Sequence, residues 1–531
     1  MPRAFPPPSP RKSGSPLAVP RGGCGAWSGI ALAAALLAGG CTVGPDFRSP
    51  PLSPTINHSS GPVPDTTGAP VAGGAPQRFN PNAAIRADWW RLFGSAELDA
   101  LVERAIKDSP TLALASARLR EASENFSAET GARLYPRVDA MAGANRERIS
   151  TAAFGNPNPT NNLFTLYNAS VNVSYAFDFS GAIWRGIEGF QAVVEFEAFQ
   201  FEAARLSLTA NLVTAAINEA SLRAQLAANQ STLATQERLL AIIRQQAAMG
   251  GANRNDVLAQ ETQVAQTRTL LPPLRRQIGL ASHQVALLAG RAPNATDLPR
   301  FDLASLHLPE ELPLSIASDL VKQRPDIRAA ESQWHQASAR LGVATANLYP
   351  QLTLSASMGS QALSPAALFG TRSMVSSLAG SLLQPIFRGG ELQARRRAAQ
   401  AVYEQAEAQY RQTVLLAFQN VADILQALTE DAQGLRSQSE FVAAANQTLA
   451  LATGQYRVGA VGQLTLLNAQ RQAQLAQVGL AQAQAARLAD TAALFQALGG
   501  GWWNDPSNAV ASPVAHPSQR EPLLNAFREK Q

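Results

Sequence analysis

The sequence predicts a mainly α-helical protein with a small transmembrane β part. Three observations support this fold class: an apolar residue at every seventh position from Val414 to Tyr456, an internal repeat at an offset of about 210 residues, and strand-like alternation ahead of the long helix of each copy. Each copy is therefore expected to contain a strand pair followed by a long helical hairpin.

The longest predicted helix covers Gly389 to Tyr456. Its apolar seam recurs at Val414, Val421, Leu428, Leu435, Val442, Leu449 and Tyr456. A strict heptad imposes a left-handed supercoil, so the pattern indicates helices wound into a bundle or tube. Because the stretch from Gln393 lacks proline, a single helix could extend roughly 100 Å. Taken alone, this segment is equally well explained as a long structural coiled coil.

The repeat rests on landmarks that match in the same order in both copies. The matching pairs are Leu134-Tyr135-Pro136 with Leu348-Tyr349-Pro350, Gly181–Val193 with Gly390–Val402, and Met249-Gly250 with Val458-Gly459. In the first copy, Leu226, Leu233 and Leu240 repeat the seven-residue spacing, and in the second copy the returning helix carries Val478, Ala481, Ala485, Leu488, Ala492 and Phe495 at spacings of three and four. These patterns predict two antiparallel helical hairpins.

The clearest predicted strand covers residues 167–180, where aromatic and aliphatic residues alternate with Asn, Ser and Asp. This pattern fits a half-buried strand in water, or a membrane-barrel strand that faces lipid on one side and water on the other. Weaker strands are predicted at 137–148, 351–361 and 375–387, with a polar loop at 150–164.

Four strands cannot close a membrane barrel, since bacterial barrels begin at eight strands. Two chains would give eight strands with a filled interior, whereas three chains give twelve strands and room for water. A trimer is thus the simplest conducting assembly, and its helical hairpins would form a twelve-helix tube.

The N-terminus carries an export signal. A short apolar core at residues 26–39 follows a basic, proline-rich lead and ends in Gly39-Gly40-Cys41. Small residues before a cysteine resemble the bacterial lipobox, which implies that residues 1–40 are a lipoprotein signal peptide and that Cys41 carries the lipid. An ordinary signal peptide with an incidental cysteine is the alternative. Residues 48–82 read as an extended linker, and residues 505–531 as a disordered tail.

Composition restricts the function classes. The net charge is +5, but four basic residues and no acidic ones lie within residues 1–40, so the remainder carries only +1. The one tight basic run, Arg395 to Arg397, fits a solvated helix face, and nucleic acid is not expected as a partner. Both cysteines, Cys24 and Cys41, lie near the N-terminus, which argues against a disulfide framework or a cysteine metal site. No nucleophile–base pair stands out, so we expect no enzyme activity.

Several motifs occur in a defined order along the chain: Cys41–Phe47, Asp88–Phe93, Arg324–Asp326, Leu348–Pro350, Pro385–Gly390 and Tyr456–Gly459. Together they resemble the TolC-like outer membrane factors, and among them the NodT/OprM-like lipoprotein branch. The resemblance implies a homotrimer with a twelve-strand outer-membrane barrel continuous with a twelve-helix periplasmic α-barrel. The domains would be an acylated N-terminal segment at 41–94 and two efflux-protein repeats at 95–298 and 299–504. It implies no cofactor beyond the lipid on Cys41.

The function implied by the resemblance is a passive exit duct in the outer membrane. An inner-membrane pump of the resistance-nodulation-division class would supply energy through a periplasmic adaptor, and the cargo would be drugs or other toxic small molecules. A duct for type I protein secretion and a structural, coiled-coil tethering lipoprotein are the alternatives.

The resemblance also assigns site residues. Hairpin tips contact the adaptor in the family, which implies roles for Met249, Gly250, Gly251, Ala252, Val458, Gly459 and Ala460; helix capping alone is the simpler explanation of the glycines. Thr465 and Asn468 occupy two positions that carry aspartates at the closed entrance of the TolC relative, so an acidic ring is not expected there. Asp423 and Tyr456 complete the predicted periplasmic gate.

Overall fold

The computed structural model describes residues 42–49, 63–150, 155, 157, 160–314 and 317–505. The predicted signal peptide, Cys41 and residues 506–531 lie outside this part of the chain. The described residues divide into two compact units. The strand unit contains the residues up to Val43, Val138–Ala182 and Ala346–Ile386, and the helical unit contains Gly44–Arg137, Ile183–Thr345 and the residues from Phe387 onward.

The elements follow one another in the predicted order. The helices are α1 (Ala96–Asp108), α2 (Pro110–Leu134), α3 (Ala182–Ala248), α4 (Arg254–Leu288), α5 (Ala317–Gln323), α6 (Pro325–Ala346), α7 (Glu391–Arg457) and α8 (Gln463–Ala497). The strands are β1 (Arg78–Asn80), β2 (Arg137–Ser150), β3 (Asn161–Phe177), β4 (Glu311–Pro313), β5 (Gln351–Ala362) and β6 (Met374–Leu383). In the described ranges, none of the helices carries an apolar stretch that would suffice for a membrane crossing.

The two copies have helices of identical length. The long helices α3 and α7 each contain 67 residues, and the returning helices α4 and α8 each contain 35. At 1.5 Å per residue, these lengths correspond to about 100 Å and about 50 Å. The predicted repeat of a strand pair and a long helical hairpin is therefore confirmed.

The predicted seam of the second hairpin is buried. Val421, Leu425 and Leu428 of α7 pack in one core with Leu488 and Phe495 of α8. Complete burial of such a side chain contributes about 1.5–3 kcal/mol, so the apolar stripe accounts for much of the pairing of α7 with α8. Closer to the turn, the buried residues of the same interface are the alanines Ala445, Ala473 and Ala476. Small side chains there allow the two helices to approach closely.

An aromatic group anchors the residues that precede α1. Trp89 is buried and stacks on Phe495 of α8, with ring centroids 5.4 Å apart, and Phe93 is completely buried beside it. A two-stranded parallel sheet of β1 and β4 lies in the same helical unit. The predicted Asp88–Phe93 motif thus forms part of the main core.

The strand unit is a four-stranded sheet with the order β2-β3-β5-β6. The pairs β3–β5 and β5–β6 are antiparallel, with Val171 opposite Met358 and Ala356 opposite Leu378. All four strands were predicted, but some bounds were wrong. Strand β3 begins at Asn161, so the polar loop is shorter than 150–164. Strand β6 ends at Leu383, because Pro385 has no N–H to donate to a neighbouring strand.

The sheet has one apolar face and one polar face. Paired residues on the apolar face are Phe177 with Leu352, Tyr175 with Leu354, Val171 with Met358, and Leu352 with Leu382, whereas Ser174, Asn172, Ser355, Ser357 and Ser377 share the other face. Large side chains of the apolar face are exposed, including Leu378 at 82% and Leu382 at 68%. Across the polar face, the hydroxyls of Ser357 and Ser377 are hydrogen-bonded at 2.8 Å.

Candidate functional site

The turn at the end of each long helix is built in the same way. Gly250 adopts a φ of 79° and Gly459 a φ of 76°. The N–H groups of Gly251 and Ala460 each donate to the carbonyl five residues earlier, at 2.8 and 2.9 Å. This is the hydrogen-bond pattern of a Schellman motif, in which glycine takes the left-handed position at the lowest cost.

Each turn presents one exposed apolar side chain at the equivalent position. Met249 is 72% exposed in the first turn, and Val458 is 80% exposed in the second. Ala252 is half-buried, and it packs against the apolar cluster beneath the turns. The seven predicted tip residues therefore lie on two similar turns with an accessible apolar residue on each, and their contact with an adaptor stays a prediction.

The cluster beneath the turns joins the ends of both hairpins. It contains Leu239 and Ile243 of α3, Ala452 of α7, and Leu466 and Ala469 of α8. Tyr456 is half-buried against it, and burial, together with the nearby Asp256 carboxylate, raises the pKa of the Tyr456 phenol. Tyr456 therefore contributes to packing between the hairpins, as expected from its seam position.

The four residues predicted to form a periplasmic gate do not form one site. Thr465 and Asn468 are exposed at the start of α8, where Arg471 donates to the Asn468 side-chain oxygen at 3.2 Å. Tyr456 lies near them on the other side of the turn. Asp423 is exposed on α7, about 50 Å from Tyr456 at the helical rise per residue. Asp423 was predicted from a sequence motif, and the motif carries no information about the distance between Asp423 and Tyr456.

Two arginines that the sequence analysis did not select hold the N-terminal segment against the helices. Arg185 of α3 is 6% exposed and pairs with Asp46 and with Glu188. Burial would raise the pKa of Glu188, but hydrogen bonds from His335 and Arg185 outweigh this effect and hold the pKa below its ordinary value of 4.5. Glu188 is therefore ionised at neutral pH and balances the charge of Arg185.

The second arginine, Arg487 of α8, has no exposed surface. Its guanidinium donates to the carbonyl of Ala75 at 2.8 Å and to the hydroxyl of Thr66 at 2.9 Å. Burial lowers the pKa of Arg487, and the Asp431 carboxyl counteracts this effect. A basic residue between Ala485 and Leu488 of the apolar stripe was the only sequence signal for this contact.

A carboxyl pair lies beside Arg487. Burial, and then the neighbouring Asp490 carboxyl, raise the pKa of Asp431 to about 7, while Arg487 acts in the opposite direction. Asp431 on α7 therefore changes charge near neutral pH, at the point where α7, α8 and the N-terminal segment meet.

Amide side chains, most of them buried, connect the first hairpin to α8. The side-chain oxygens of Asn229 and Gln225 accept hydrogen bonds from Gln474 at 2.7 Å and Gln482 at 3.2 Å, and that of Gln260 accepts one from Gln463 at 3.0 Å. These hydrogen bonds pair amide groups inside the interface, where an unpaired amide would be costly, although the Gln463 side-chain oxygen is buried without a partner among the described residues.

The comparisons with known proteins agree with this architecture. The sequence profile of the outer membrane efflux protein family matches residues 101–291 and 316–500. These two matches cover well over half of the chain, one in each repeat. The chain belongs to the outer membrane efflux protein family.

Individual relatives of this efflux protein match over most of their length. It is 32% identical over 453 residues to the pyoverdine export outer membrane protein OpmQ of Pseudomonas aeruginosa, covering 83% of this chain and 94% of that protein. It is 26% identical to the probable outer membrane lipoprotein SilC of Salmonella typhimurium, covering 88% and 97%. The solved outer-membrane channel OprN is similar at a TM-score of 0.77 and 28% identity, covering 87% of this chain and all of that one.

The predicted family and fold class are therefore confirmed for this efflux protein: it has a mainly α, TolC-like fold with a small β part. The predicted domain boundaries and site roles stay predictions. Sequence reasoning found the turns because glycine spacing is visible in both copies. It missed Arg185, Arg487 and the amides because the partners that define their roles, in the N-terminal segment or on the other hairpin, lie more than 100 residues away in the chain.

Proposed function

We propose that this efflux protein is a trimeric exit duct in the outer membrane, with twelve strands in one barrel and twelve helices in one periplasmic tube. The observation that carries this proposal is the open four-stranded sheet. Strands β2 and β6 are its edges, and every residue of β6 is exposed. An uncovered edge next to an exposed apolar face is a strong aggregation hazard in water, so a partner strand and lipid are its natural surroundings.

Pairing of β6 with β2 of the next copy removes both edges. Three copies give twelve strands, a number that leaves a water-filled interior, whereas two copies give eight strands and a filled one. The serine- and asparagine-rich face would then line water, and the apolar face would contact lipid. Two hairpins from each copy supply the twelve helices.

The location we propose is the outer membrane, with a lipid on Cys41 and a long periplasmic part. The lipobox-like sequence before Cys41 supports the lipid, and the relative SilC is named as a probable lipoprotein. Outer-membrane location follows the family to which the chain belongs.

The proposed activity is passive conduction, without catalysis. An inner-membrane pump of the resistance-nodulation-division class supplies the energy, and a periplasmic adaptor contacts the turns at Met249 and Val458. Drugs or other toxic small molecules are the proposed cargo, in line with relatives that are named for the export of pyoverdine and of solvents.

The test is the oligomeric mass and single-channel conductance of the purified protein in one detergent. A trimeric mass with channels in planar bilayers supports the duct. A monomer that never conducts overturns it and favours a tethering lipoprotein.

Small-molecule export is tested by drug accumulation in cells that lack the protein. Unchanged accumulation together with loss of a secreted protein would instead indicate a type I secretion duct.

A further inference from the structure

We propose that Arg185, Glu188 and His335 form an N-terminal clamp that fixes the lipid-bearing end of the chain beside the start of α3. The inference rests on the proposed lipid at Cys41. It assigns a role to the segment Thr42–Phe47, which the duct function by itself does not require. This segment holds the lipid at one point of the protein, so the lipid does not move at the end of a flexible linker.

The clamp holds Asp46 and the main chain around it. One guanidinium nitrogen of Arg185 donates to the Asp46 carboxylate and, at 3.5 Å, to the Gly44 carbonyl. The other donates to Glu188 at 2.7 Å, and Glu188 is in turn hydrogen-bonded to His335 at 2.8 Å. The Arg185 guanidinium is buried, whereas the Asp46 side chain is 77% exposed, so water partly screens this ion pair and the contact is one of several that hold the segment.

Phe47 adds an apolar contact to this ionic one. Its ring stacks on His335 with centroids 4.6 Å apart, and it meets Trp334 edge-on at 5.3 Å. The hydroxyl of Ser338 also donates to the Pro45 carbonyl, at 3.4 Å. Successive residues of the segment are therefore held by α6 as well as by α3.

The main chain can reach this position only because two glycines face each other. Gly44 has a φ of 108°, and a Cβ atom placed on it would lie 2.7 Å from the Cα of Gly342. A Cβ atom on Gly342 would lie 2.9 Å from the Arg185 side chain. A larger residue at position 44 would clash with the main chain of α6, and one at position 342 would displace the Arg185 side chain.

Within the strand unit, the residues just before the clamp are also held. The N–H of Val43 donates to the Ser180 carbonyl at 3.0 Å, and Thr42 lies against Gly181. Cys41 itself lies outside the described residues. Three residues of extended chain span about 10 Å, so a lipid on Cys41 stays within about that distance of Gly44.

This short reach is the consequence that matters. Thr66 is the next residue that is hydrogen-bonded to a buried arginine. If the chain before Thr66 were not held, the lipid on Cys41 could lie up to about 80 Å from Thr66. Within the strand unit, the contacts of Thr42 with Gly181 and of Val43 with Ser180 place the acyl chains beside the end of β3. Because strand β3 carries the exposed aromatic and aliphatic face, lipid and sheet would meet the membrane at the same place.

The experiment uses the purified, acylated protein and trypsin. Arg48 is exposed and follows the clamped residues directly, so cleavage after it would release residues 41–48 together with their lipid. The wild type is expected to be protected. Phe47→Ala is expected to release the peptide about tenfold faster, since each tenfold change corresponds to about 1.4 kcal/mol of lost contact energy. Asp46→Asn is expected to have a smaller effect, about threefold, because the Asp46 carboxylate is exposed and its ion pair is screened by water. Phe47→Tyr keeps the ring and should stay protected, and Arg48→Gln should not release the peptide 41–48.

Lipid position is measured separately, with a photoreactive fatty acid incorporated in cells. In the wild type, cross-links should concentrate at residues 177–184, and in Phe47→Ala they should spread to other residues. Equal release rates in the wild type and Phe47→Ala, or identical cross-link patterns, would overturn the clamp. Mass spectrometry of the released peptide distinguishes this result from the absence of a lipid on Cys41, and channel conductance tests the duct independently.

Discussion

A buried guanidinium group is stable only when carboxylates or carbonyls surround it, so it fixes whatever supplies them. Arg185 and Arg487 use this property in two ways. Arg185 binds mainly carboxylates, whereas Arg487 binds a hydroxyl and main-chain carbonyls of residues 66–75. The N-terminal segment has little regular secondary structure, and its contacts with these two side chains help to fix its conformation.

The Asp431 carboxyl predicts a pH dependence of stability. Its pKa is about 7 in the folded protein against an ordinary value of 3.8, so the folded state binds the proton more tightly. The resulting stability is complete below about pH 4 and is lost as the pH rises through about 7. Asp431→Asn stays neutral, and its thermal midpoint should exceed that of the wild type by a few degrees at pH 8 but not at pH 4.

The matched control is Asp423→Asn on the same helix, where the carboxylate is exposed. Its thermal midpoint should follow that of the wild type at both pH values. A shift for Asp431→Asn that is equal at pH 4 and pH 8 would show that lost packing, and not charge, determines its effect.

At the scale of elements, the buried positions of the second hairpin could be predicted from the sequence better than those of the first. The seam of α7 was predicted because Val421, Leu428 and Leu435 are apolar at heptad spacing, and all three are buried. In α3 the heptad leucines Leu226 and Leu233 are only half-buried, and the adjacent amides take the interior positions. An amide is buried only if a partner lies opposite, and a single sequence gives no sign of that partner.

The two helical turns carry a prediction about export. Adaptor contact through Met249 and Val458 requires apolar surface, so the double variant Met249→Asp, Val458→Asp should weaken adaptor binding by about thirtyfold, or about 2 kcal/mol. Drug resistance of the cells should fall with it. Both side chains are exposed in the chain itself, so oligomeric mass and conductance should stay unchanged.

The control for added charge is Thr448→Asp, an exposed position on α7 before the second turn. Resistance should be unaffected in this variant. Normal adaptor binding by the double variant would exclude the turns as the docking surface and leave their glycines with a capping role alone.

At the scale of the whole molecule, the sequence predicted the repeat and the four strands but not how each strand pairs. Alternation in β3 is strong enough to define both faces, whereas β6 contains Ser376, Ser377 and Gly380 among its leucines and alternates only partly. Pairing with β5 resolves this ambiguity, because it places Leu378 and Leu382 on the face that β3 defines. The face on which a residue of β6 lies is therefore decided by its pairing with β5 and β3, and not by the sequence of β6 alone.

Two neighbouring residues of β6 test which face of the sheet meets lipid. Leu378 belongs to the apolar face and Ser377 to the polar face. An arginine at the middle of a lipid-facing strand costs about 2–4 kcal/mol, so Leu378→Arg should strongly reduce the amount of trimer in the outer membrane. Ser377→Arg should insert normally and shift the channel toward anion selectivity, because three added positive charges would line the water-filled interior. Fractionated membranes and bilayer recordings measure both. Equal insertion of the two variants would contradict a lipid-facing apolar surface, and a loss confined to Ser377→Arg would show that the faces are reversed.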